Sequence, residues 1–230
     1  MDGSRLDISK INAKAPSRFG WVTSGAACGP DPICDIDLAR LPDFSIVPTI
    51  GSIVEGWVLV IPKQKVLSIK GLTKGQRRDL VQISDHVEHD LAVYNSPIVK
   101  LEHGPSTKGS LTGCGVDQAH LHILPLEVGF KEFVLTSDEK LDWLKVDSVD
   151  PWSEVAQDKD YYLMWIGNDC FVSYPEVKTS QYFRRKVAQF IGKPEHWDYK
   201  TAPNYENVRR TRQKFQGRWG SAIQRGILGA

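Results

Sequence analysis

Residues 113–125 have the sequence GCGVDQAHLHILP, in which polar and apolar residues alternate from position 118 onward. This period of two is typical of a half-buried β-strand, whose successive side chains leave opposite faces. On such a strand Gln118, His120 and His122 share one face, and the apolar residues between them share the other. Two of the six histidines of the chain lie here. The pattern therefore predicts chemistry on the polar face, behind an approach in which glycine lets a substrate come close to the backbone.

The length and composition of the chain bound its architecture. With 230 residues, of which 41% are hydrophobic, the chain can bury one good core, as one large domain or as a domain with an appendage. The formal net charge is +1, so the molecule as a whole favours neither nucleic acid nor a membrane as its partner.

The charge is nevertheless unevenly distributed along the chain. Residues 126–160 contain ten acidic and four basic residues, whereas residues 176–230 contain four acidic and twelve basic ones. A basic C-terminal segment can bind phosphates, and a solvated helix surface is the alternative interpretation.

The four cysteines, at positions 28, 34, 114 and 170, have irregular spacing. This spacing predicts neither a disulfide framework nor a tight zinc motif, and it favours free or buried thiols over a metal held by Cys28 and Cys34. The N-terminus has no apolar signal region, and no apolar run approaches the roughly 18 residues of a membrane span. We therefore expect a soluble, cytoplasmic protein.

The pattern of elements predicts an α+β fold with a mainly antiparallel sheet packed with a long helix. That helix is expected over residues 72–95, because Thr73 and Gln76 have the spacing of a capping box and Pro97 ends the segment. His86 and His89 fall off its apolar stripe and are predicted to be exposed. Strands are expected at 44–50, 53–61 and 98–103, with a hairpin joining 161–166 to 170–174. Further helices are expected at 179–191 and, capped by Asn204, at 204–215, with a short helix or docking segment around 141–144.

Three regions follow from these elements. Residues 1–39 form an N-terminal arm and loop, residues 40–126 form the core, and residues 127–230 form a C-terminal α/β extension with the hairpin and the basic helices. Gln181, Arg184 and Arg185 lie near the start of the predicted helix 179–191, where the helix N-terminus is itself an anion site. An arginine there can bind a phosphate through two parallel hydrogen bonds. The alternative interpretation is that these arginines are ordinary surface residues.

Two histidines alternating on a strand are compatible with three hypotheses. They can share a metal ion, and Glu127 then completes the first half of a cupin-like motif. One of them can instead attack phosphorus as a neutral imidazole, if its other ring nitrogen holds the proton in a hydrogen bond. They can also be core histidines with backbone partners. The Gln-x-His-x-His row behind glycine favours chemistry over the structural hypothesis.

The row QAHLHIL at 118–124 resembles the signature of the histidine triad (HIT) superfamily, in which three histidines alternate with apolar residues. Upstream, GWVLVIPK at 56–63 resembles the Gly-His-x-Leu-Val-Ile-Pro-Lys strand of that family, and the predicted helix 72–95 falls where the family has its helix. The resemblance covers about residues 40–126. It implies a HIT-like fold, usually a homodimer, and a nucleotide or nucleotide-conjugate substrate.

The resemblance also implies roles for residues, with departures from the family pattern. The nucleophile maps to His120 and the third histidine to His122, while Gln118 replaces the first histidine and cannot carry a proton at neutral pH. Trp57 replaces the usual histidine after Gly56, and its ring is a candidate stacking surface for a base or a core residue. Further residues expected at the substrate are Lys63, Glu102, His103, Gly104, Gly113 and Gly115, the last lying where many members have a serine.

By resemblance, His120 attacks the α-phosphorus of a nucleoside phosphate or dinucleotide, and the nucleotidyl group then passes to water, phosphate or another acceptor. The missing acid and leaving-group helpers imply a leaving group that needs little protonation. No cofactor is required, although a divalent cation can accompany the nucleotide. The alternatives are a nucleotide-binding module without turnover, a cupin-like metal-binding protein, and a protein that holds nucleic-acid ends through its basic C-terminal helices.

Overall fold

An antiparallel sheet is the frame of the computed structural model, which describes residues 18–114, 116–147, 149–219 and 223. Within these residues the sheet has eight strands: β1 (Ala39–Arg40), β2 (Phe44–Pro48), β3 (Val58–Pro62), β4 (Ile98–Gly104), β5 (Leu121–Pro125), β6 (Leu144–Val146), β7 (Tyr161–Ile166) and β8 (Asp169–Ser173). Their order across the sheet is β1-β2-β3-β5-β4-β7-β8-β6.

Five α-helices accompany the sheet in the same residues, and short 3-10 turns connect several elements. The helices are α1 (Gly20–Ser24), α2 (Lys74–Leu91), α3 (Phe130–Thr136), α4 (Tyr182–Phe190) and α5 (Tyr205–Phe215). The predicted α+β fold, with a mainly antiparallel sheet packed with a long helix, is confirmed.

The long helix α2 covers one face of the sheet. Its predicted capping box is present, since Thr73 and Gln76 bond reciprocally at its N-terminus. Its apolar stripe consists of Leu80, Ile83, Val87 and Leu91, all buried against strand residues such as Val58, Val60, Leu121 and Ile123. The C-terminal residues Phe215 and Trp219 join the same cluster. His86 and His89 are exposed, as predicted.

The opposite face of the sheet is covered by two separate apolar clusters. One contains residues of α3 and α4, such as Phe130, Val134 and Phe183, packed on Leu101 and Met164 of the sheet. The other contains residues around α1 packed on β2 and β3: Phe19, Trp21, Val22, Val47, Leu59 and Ile61. His120 and His122 of the motif lie on this same side of the sheet, opposite α2.

Several boundaries differ from the sequence prediction for identifiable reasons. The second strand begins at Val58 and not at residue 53, because Gly51 and Gly56 have positive φ angles of 67° and 85° and turn the chain before it. The predicted helix or docking segment at 141–144 is wrong: the helix is Phe130–Thr136, and Leu144–Val146 is a strand paired with β8. The sequence signal for this helix is the pair Phe130 and Val134, which share its buried face.

Two helix starts also differ. The second predicted helix begins at Tyr182, three residues later than expected, after Gln181 with a φ of 57°. Helix α5 begins where predicted, but Asn204 makes no side-chain capping bond there and itself has a φ of 47°. The hairpin of β7 and β8 is present as predicted.

The C-terminal extension continues the sheet of the core. Strand β7 pairs with β4 from Val99↔Ile166 to Gly104↔Tyr161, so both regions share one hydrogen-bonded frame. The proposed division at residues 39 and 126 stays a prediction. All four cysteines are free. Among the described residues, no helix has the length and apolar character needed to cross a membrane.

Candidate functional site

A pocket opens between the two apolar clusters on the sheet face opposite α2. Its volume is about 450 Å³, part of which is open to solvent. Sheet residues form its floor, and the segment before α1, the loop after β2, and α4 with the loop after it form its walls. The lining residues are Arg18, Phe19, Thr49, Ile50, Leu59, His103, Cys114, Val116, His120, His122, Gln181, Arg184 and Tyr199.

His120 is held so that one ring nitrogen remains free. Its Nδ1 lies 2.9 Å from the backbone oxygen of Gln118. A carbonyl oxygen only accepts, so Nδ1 carries the proton and donates it, which leaves the Nε2 lone pair unprotonated. Burial lowers the pKa of His120, which the bond to Gln118 partly offsets, so the ring is neutral at pH 7. This arrangement suits a nucleophile.

His122 has the opposite tautomer. Trp57 Nε1 lies 3.1 Å from its Nδ1, and an indole N–H can only donate. Nδ1 therefore accepts, and Nε2 carries the proton. Burial holds the pKa of His122 well below its usual value, and the neighbouring His120, His103 and Arg184 oppose protonation further. The rings of His120 and His122 are 4.8 Å apart, so a lone pair and an N–H donor lie side by side.

His103 joins the motif histidines from the neighbouring strand. Strand β4 pairs Leu101 with His122, so His103, two residues further, shares the face of both. Its Nε2 accepts from the backbone N–H of Phe183 at 3.1 Å. Burial, with His120 and Arg184 nearby, lowers the pKa of His103 to about 3. Its Nδ1 is buried without a hydrogen-bond partner among the described residues.

Arg184 supplies a buried positive charge to the pocket. Its guanidinium donates to three backbone oxygens, those of Trp197, Ile50 and Gly51, and its hydrogen bonds among the described residues go to carbonyls only. Burial lowers its pKa to about 10, so the group stays charged at pH 7. A buried cation whose partners are all neutral attracts an anion.

One wall of the pocket, formed by the first described residues, was not predicted from the sequence. Arg18 makes a 2.8 Å ion pair with Asp35 and faces the pocket. The ring of Phe19 lies 5.2 Å from that of His120 and covers it. The segment before residue 20 has no periodic pattern, which is why the sequence predicts an irregular arm there. The only sequence signal for this wall is that an arginine and a phenylalanine are adjacent at positions 18 and 19.

The start of α4 contacts the pocket in a way the sequence only partly indicated. Gln181 lines the pocket, and its backbone N–H donates to Cys114 Sγ at 3.1 Å. The amide of Phe183 is already occupied by His103, so the predicted anion site at this helix N-terminus has fewer free amides than expected. Arg185 instead lies 3.4 Å from the centre of the Trp197 ring and does not line the pocket.

Gln118 is directed away from the pocket. Strand β5 starts only at Leu121, so the expected row of three on one face is met by His120 and His122 alone. The side-chain amide of Gln118 donates to the carbonyls of Pro62 and Gln64 at 2.8 and 3.0 Å. This side chain braces the end of β3, and its backbone oxygen orients His120.

The remaining predicted substrate residues that the structure describes lie outside the pocket lining. Trp57 is completely buried, so its ring offers no surface for a base and instead positions His122. Lys63 donates to the Leu41 carbonyl. Glu102 points to the α2 face of the sheet, where it accepts from Ile69, Trp152 and Tyr161. Gly104 and Gly113 have no room for a side chain against Tyr161 and Pro105. Gly115 lies outside the described residues.

A cupin-like metal centre would need Glu127 next to His120 and His122, and the fold keeps Glu127 away from the pocket that these histidines line. Glu127 is exposed beyond the end of β5 and lines a separate depression with Val128 and Lys131. In the part of the chain that the structure describes, no group of three or more histidine, cysteine or acidic residues is arranged to hold a metal ion.

Comparisons with solved structures give distant similarities. A HIT-like protein involved in cell-cycle regulation from Bartonella henselae matches with a TM-score of 0.37 and 16% identity, over 49% of this chain and 78% of that chain. Yeast Ap4A phosphorylase Apa2 matches with a TM-score of 0.39 and 12% identity, over 77% of this chain and 73% of that chain. Its complex with Ap4A matches with a TM-score of 0.38 and 9% identity, over 84% and 82%.

No protein-family model matches the chain, and no curated protein matches it significantly. At these TM-scores and identities, the structural similarities assign neither a family nor an activity to the chain.

Proposed function

We propose that this chain is a HIT-like nucleotide hydrolase or nucleotidyltransferase, which acts at the α-phosphate of a nucleoside phosphate or dinucleotide through a nucleotidyl adduct on His120. The observation that carries the proposal is the 2.9 Å contact between His120 Nδ1 and the Gln118 oxygen. This contact leaves the Nε2 lone pair of a neutral imidazole free in a pocket that also holds a buried, charged Arg184.

The proposed reaction has two displacement steps at phosphorus. His120 Nε2 forms a bond to the α-phosphorus while the bond from phosphorus to the leaving-group oxygen breaks, and its electron pair departs with that oxygen. The Nδ1 proton remains on the ring, hydrogen-bonded to the Gln118 oxygen. Water, phosphate or another acceptor then attacks the same phosphorus, and the electron pair of the N–P bond returns to Nε2.

The charges of the pocket suit this chemistry. Arg184 has three of its five N–H groups on carbonyl oxygens, so the other two are available to phosphoryl oxygens. Arg18 adds a second guanidinium, already partly neutralised by Asp35. His122 presents an N–H donor beside the nucleophile. Preorganised donors of this kind stabilise charge that develops on phosphoryl oxygens in the transition state. In this proposal no resident cofactor takes part, and a divalent cation enters only with the nucleotide.

The first experiment is intact-protein mass spectrometry after incubation with nucleoside di- and triphosphates and dinucleotides. Wild-type protein should gain the mass of one nucleotidyl group, and His120→Ala should gain none. His86→Ala is the matched control, because His86 is exposed on α2, outside the pocket. An equal adduct on wild type and His120→Ala, or no adduct and no substrate consumption by wild type, would rule out the proposed reaction.

A second candidate is a nucleotide-binding module without turnover. The packing of Phe19 over His120, with ring centres 5.2 Å apart, favours it, because this ring covers the nucleophile. Saturable nucleotide binding by calorimetry, lost in Arg184→Gln but unaccompanied by substrate consumption or an adduct, would establish this candidate instead. Removal of the cover in Phe19→Ala should increase the rate of adduct formation if the enzyme hypothesis is correct.

The resemblance also leads us to propose a homodimer in the cytoplasm. Sedimentation equilibrium of the full chain tests the first part, with a mass near twice 25.8 kDa expected. Binding of single-stranded DNA ends that weakens steeply with salt would instead support the nucleic-acid alternative.

A further inference from the structure

The contact between Trp57 and His122 sets the protonation chemistry of the pocket. Strand β3 pairs Leu59 with His122, which places Trp57 on the same face as a diagonal neighbour. The two rings meet edge to face with centres 5.7 Å apart, and Nε1 lies 3.1 Å from Nδ1. Trp57 is fully buried, so water cannot replace this hydrogen bond.

An indole cannot exchange the roles of donor and acceptor. Its N–H only donates, so His122 keeps this bond only while its Nδ1 is unprotonated. An imidazolium at position 122 would direct an N–H against the indole N–H, and a buried donor would lose its partner. A tryptophan here therefore locks both the tautomer and the charge of His122.

The other groups that face His122 oppose a positive charge as well. They are His120 on the same segment, His103 on β4 and Arg184 on α4, and none of them is an acid. Together with burial they keep the pKa of His122 far below its usual value. The residue can hydrogen-bond to a departing oxygen through Nε2 but does not give that oxygen a proton.

Resting on the proposed function, we propose that Trp57 makes His122 a permanent neutral hydrogen-bond donor, so that the site cleaves phosphoanhydrides and not phosphoramidates or alkyl phosphate esters. Trp57 is thus a positioning residue that determines the substrate class. Among the described residues of the pocket lining none is a carboxylic acid: the other titratable side chains are histidines, arginines, Cys114 and Tyr199, and the Cys114 thiol donates to the Thr112 carbonyl.

The bond changes explain the discrimination. From a phosphoanhydride, the P–O bond breaks and the electron pair leaves on a phosphate or pyrophosphate, which is stable as an anion without a proton. From a phosphoramidate, the P–N bond would break and the electron pair would leave on the nitrogen of a deprotonated amine. From an alkyl ester, the P–O bond would break and the pair would leave on an alkoxide oxygen. Both are strong bases that must be protonated as the bond breaks. General acid catalysis contributes about 100-fold to 10,000-fold to such steps.

The direct test uses wild-type protein and three substrates that share one nucleoside 5′-phosphoryl group. Their leaving groups are pyrophosphate, a primary alkylamine and a simple alkanol. We expect kcat/KM for the pyrophosphate substrate to exceed the other two by at least about 100-fold. Turnover of the amine or alkanol substrate within 10-fold of the anhydride would overturn the inference.

Nuclear magnetic resonance of protein labelled with ¹⁵N in histidine tests the cause separately. His122 should show the tautomer with its proton on Nε2 and should not titrate between pH 5 and 8. In Trp57→Phe, which removes the donor but keeps an aromatic ring, the tautomer should change or a titration should appear. Trp165→Phe is the matched control, since Trp165 is a nearly buried strand tryptophan that donates to Gly167 outside the pocket. A titrating His122 in wild type would overturn the inference.

Trp57→His provides the test by gain of function. A histidine at 57 can accept as well as donate, so His122 can then hold a proton at Nδ1. We expect the ratio of phosphoramidate to phosphoanhydride turnover to rise at least about 10-fold at pH 6, but not in Trp57→Phe. An unchanged ratio in a folded variant would count against the inference. Absence of any adduct in wild type defeats the proposed function itself, whereas adducts from all three substrate classes defeat only this inference.

Discussion

Glu102 and His103 are neighbours on strand β4, yet they show two different ways of burying a polar group. Glu102 faces the α2 side of the sheet and accepts hydrogen bonds from the Ile69 amide, the Trp152 indole and the Tyr161 hydroxyl. His103 faces the pocket, accepts from Phe183, and leaves its Nδ1 without a partner among the described residues. A buried polar group with all its partners fixes a fold, whereas one with spare capacity marks a place where a ligand can bind.

The largest expected effect comes from removal of the satisfied group. Glu102→Ala leaves three buried donors without an acceptor, so we expect the free energy of unfolding to fall by about 4 kcal/mol. Urea denaturation followed by circular dichroism measures this loss. A loss below about 1 kcal/mol would show that Trp152 and Tyr161 find other acceptors and that Glu102 does not anchor this face.

The two neighbours should also give opposite dependences of stability on pH. Burial raises the pKa of Glu102 from 4.5 to about 7, so its contribution is fully present below 4.5 and is lost as pH rises towards 7. Burial, with His120 and Arg184, lowers the pKa of His103 from 6.5 to about 3, so its contribution is present above 6.5 and is lost as pH falls towards 3.

The Glu102 change amounts to roughly 3 kcal/mol across its window. In wild type, Glu102 should make the free energy of unfolding fall as pH rises from 4.5 to about 7, and Glu102→Gln should remove this fall. His103 should make the free energy of unfolding rise as pH rises from about 3 to 6.5, and His103→Phe should remove this rise. Urea denaturation at half-unit pH steps measures both. Parallel pH profiles for wild type and Glu102→Gln would contradict the assignment.

The smallest expected effect comes from removal of the unsatisfied group. His103→Phe deprives only the Phe183 amide of an acceptor and also removes an orphaned nitrogen, so unfolding free energy should change by no more than about 1 kcal/mol. The same substitution should slow adduct formation at His120 clearly, even though it leaves the free energy of unfolding almost unchanged. If His103→Phe destabilises as much as Glu102→Ala, the contrast between the two faces does not hold.

The sequence predicted the α2 face better than the pocket face, and the reason is physical. Helix α2 and the strands beneath it are specified by local periodicity and by a capping box between Thr73 and Gln76. The pocket is assembled from distant segments: Trp57 reaches His122 through strand pairing, and Arg184 reaches the loop after β2 through carbonyl bonds. Contacts between residues so far apart in the chain leave no local pattern in the sequence.

The motif residues divide in the same way. The alternation of polar and apolar residues predicts that His120 and His122 share one face, because side chains two residues apart in an extended chain point the same way. Both line the same pocket. The same alternation also put Gln118 beside them, but strand β5 begins after it and its amide reaches Pro62 and Gln64 instead. The sequence prediction places both Glu102 and His103 at the substrate, but adjacent strand residues leave opposite faces, so only His103 lines the pocket. Alternation separates the two side chains, but it does not say which of the two faces carries the pocket.

The two ends of the sheet are short: β1 has two residues and β6 has three. Exposed strand edges are the usual starting points of edge-to-edge aggregation, and short edges suppress it. A second copy that extended this sheet would gain only a few backbone hydrogen bonds at either side. The long central strands β4 and β7 pair with each other from Val99↔Ile166 to Gly104↔Tyr161 within one chain. Short edges of this kind disfavour fibre-like growth, so the dimer proposed above would have to form through side-chain surfaces.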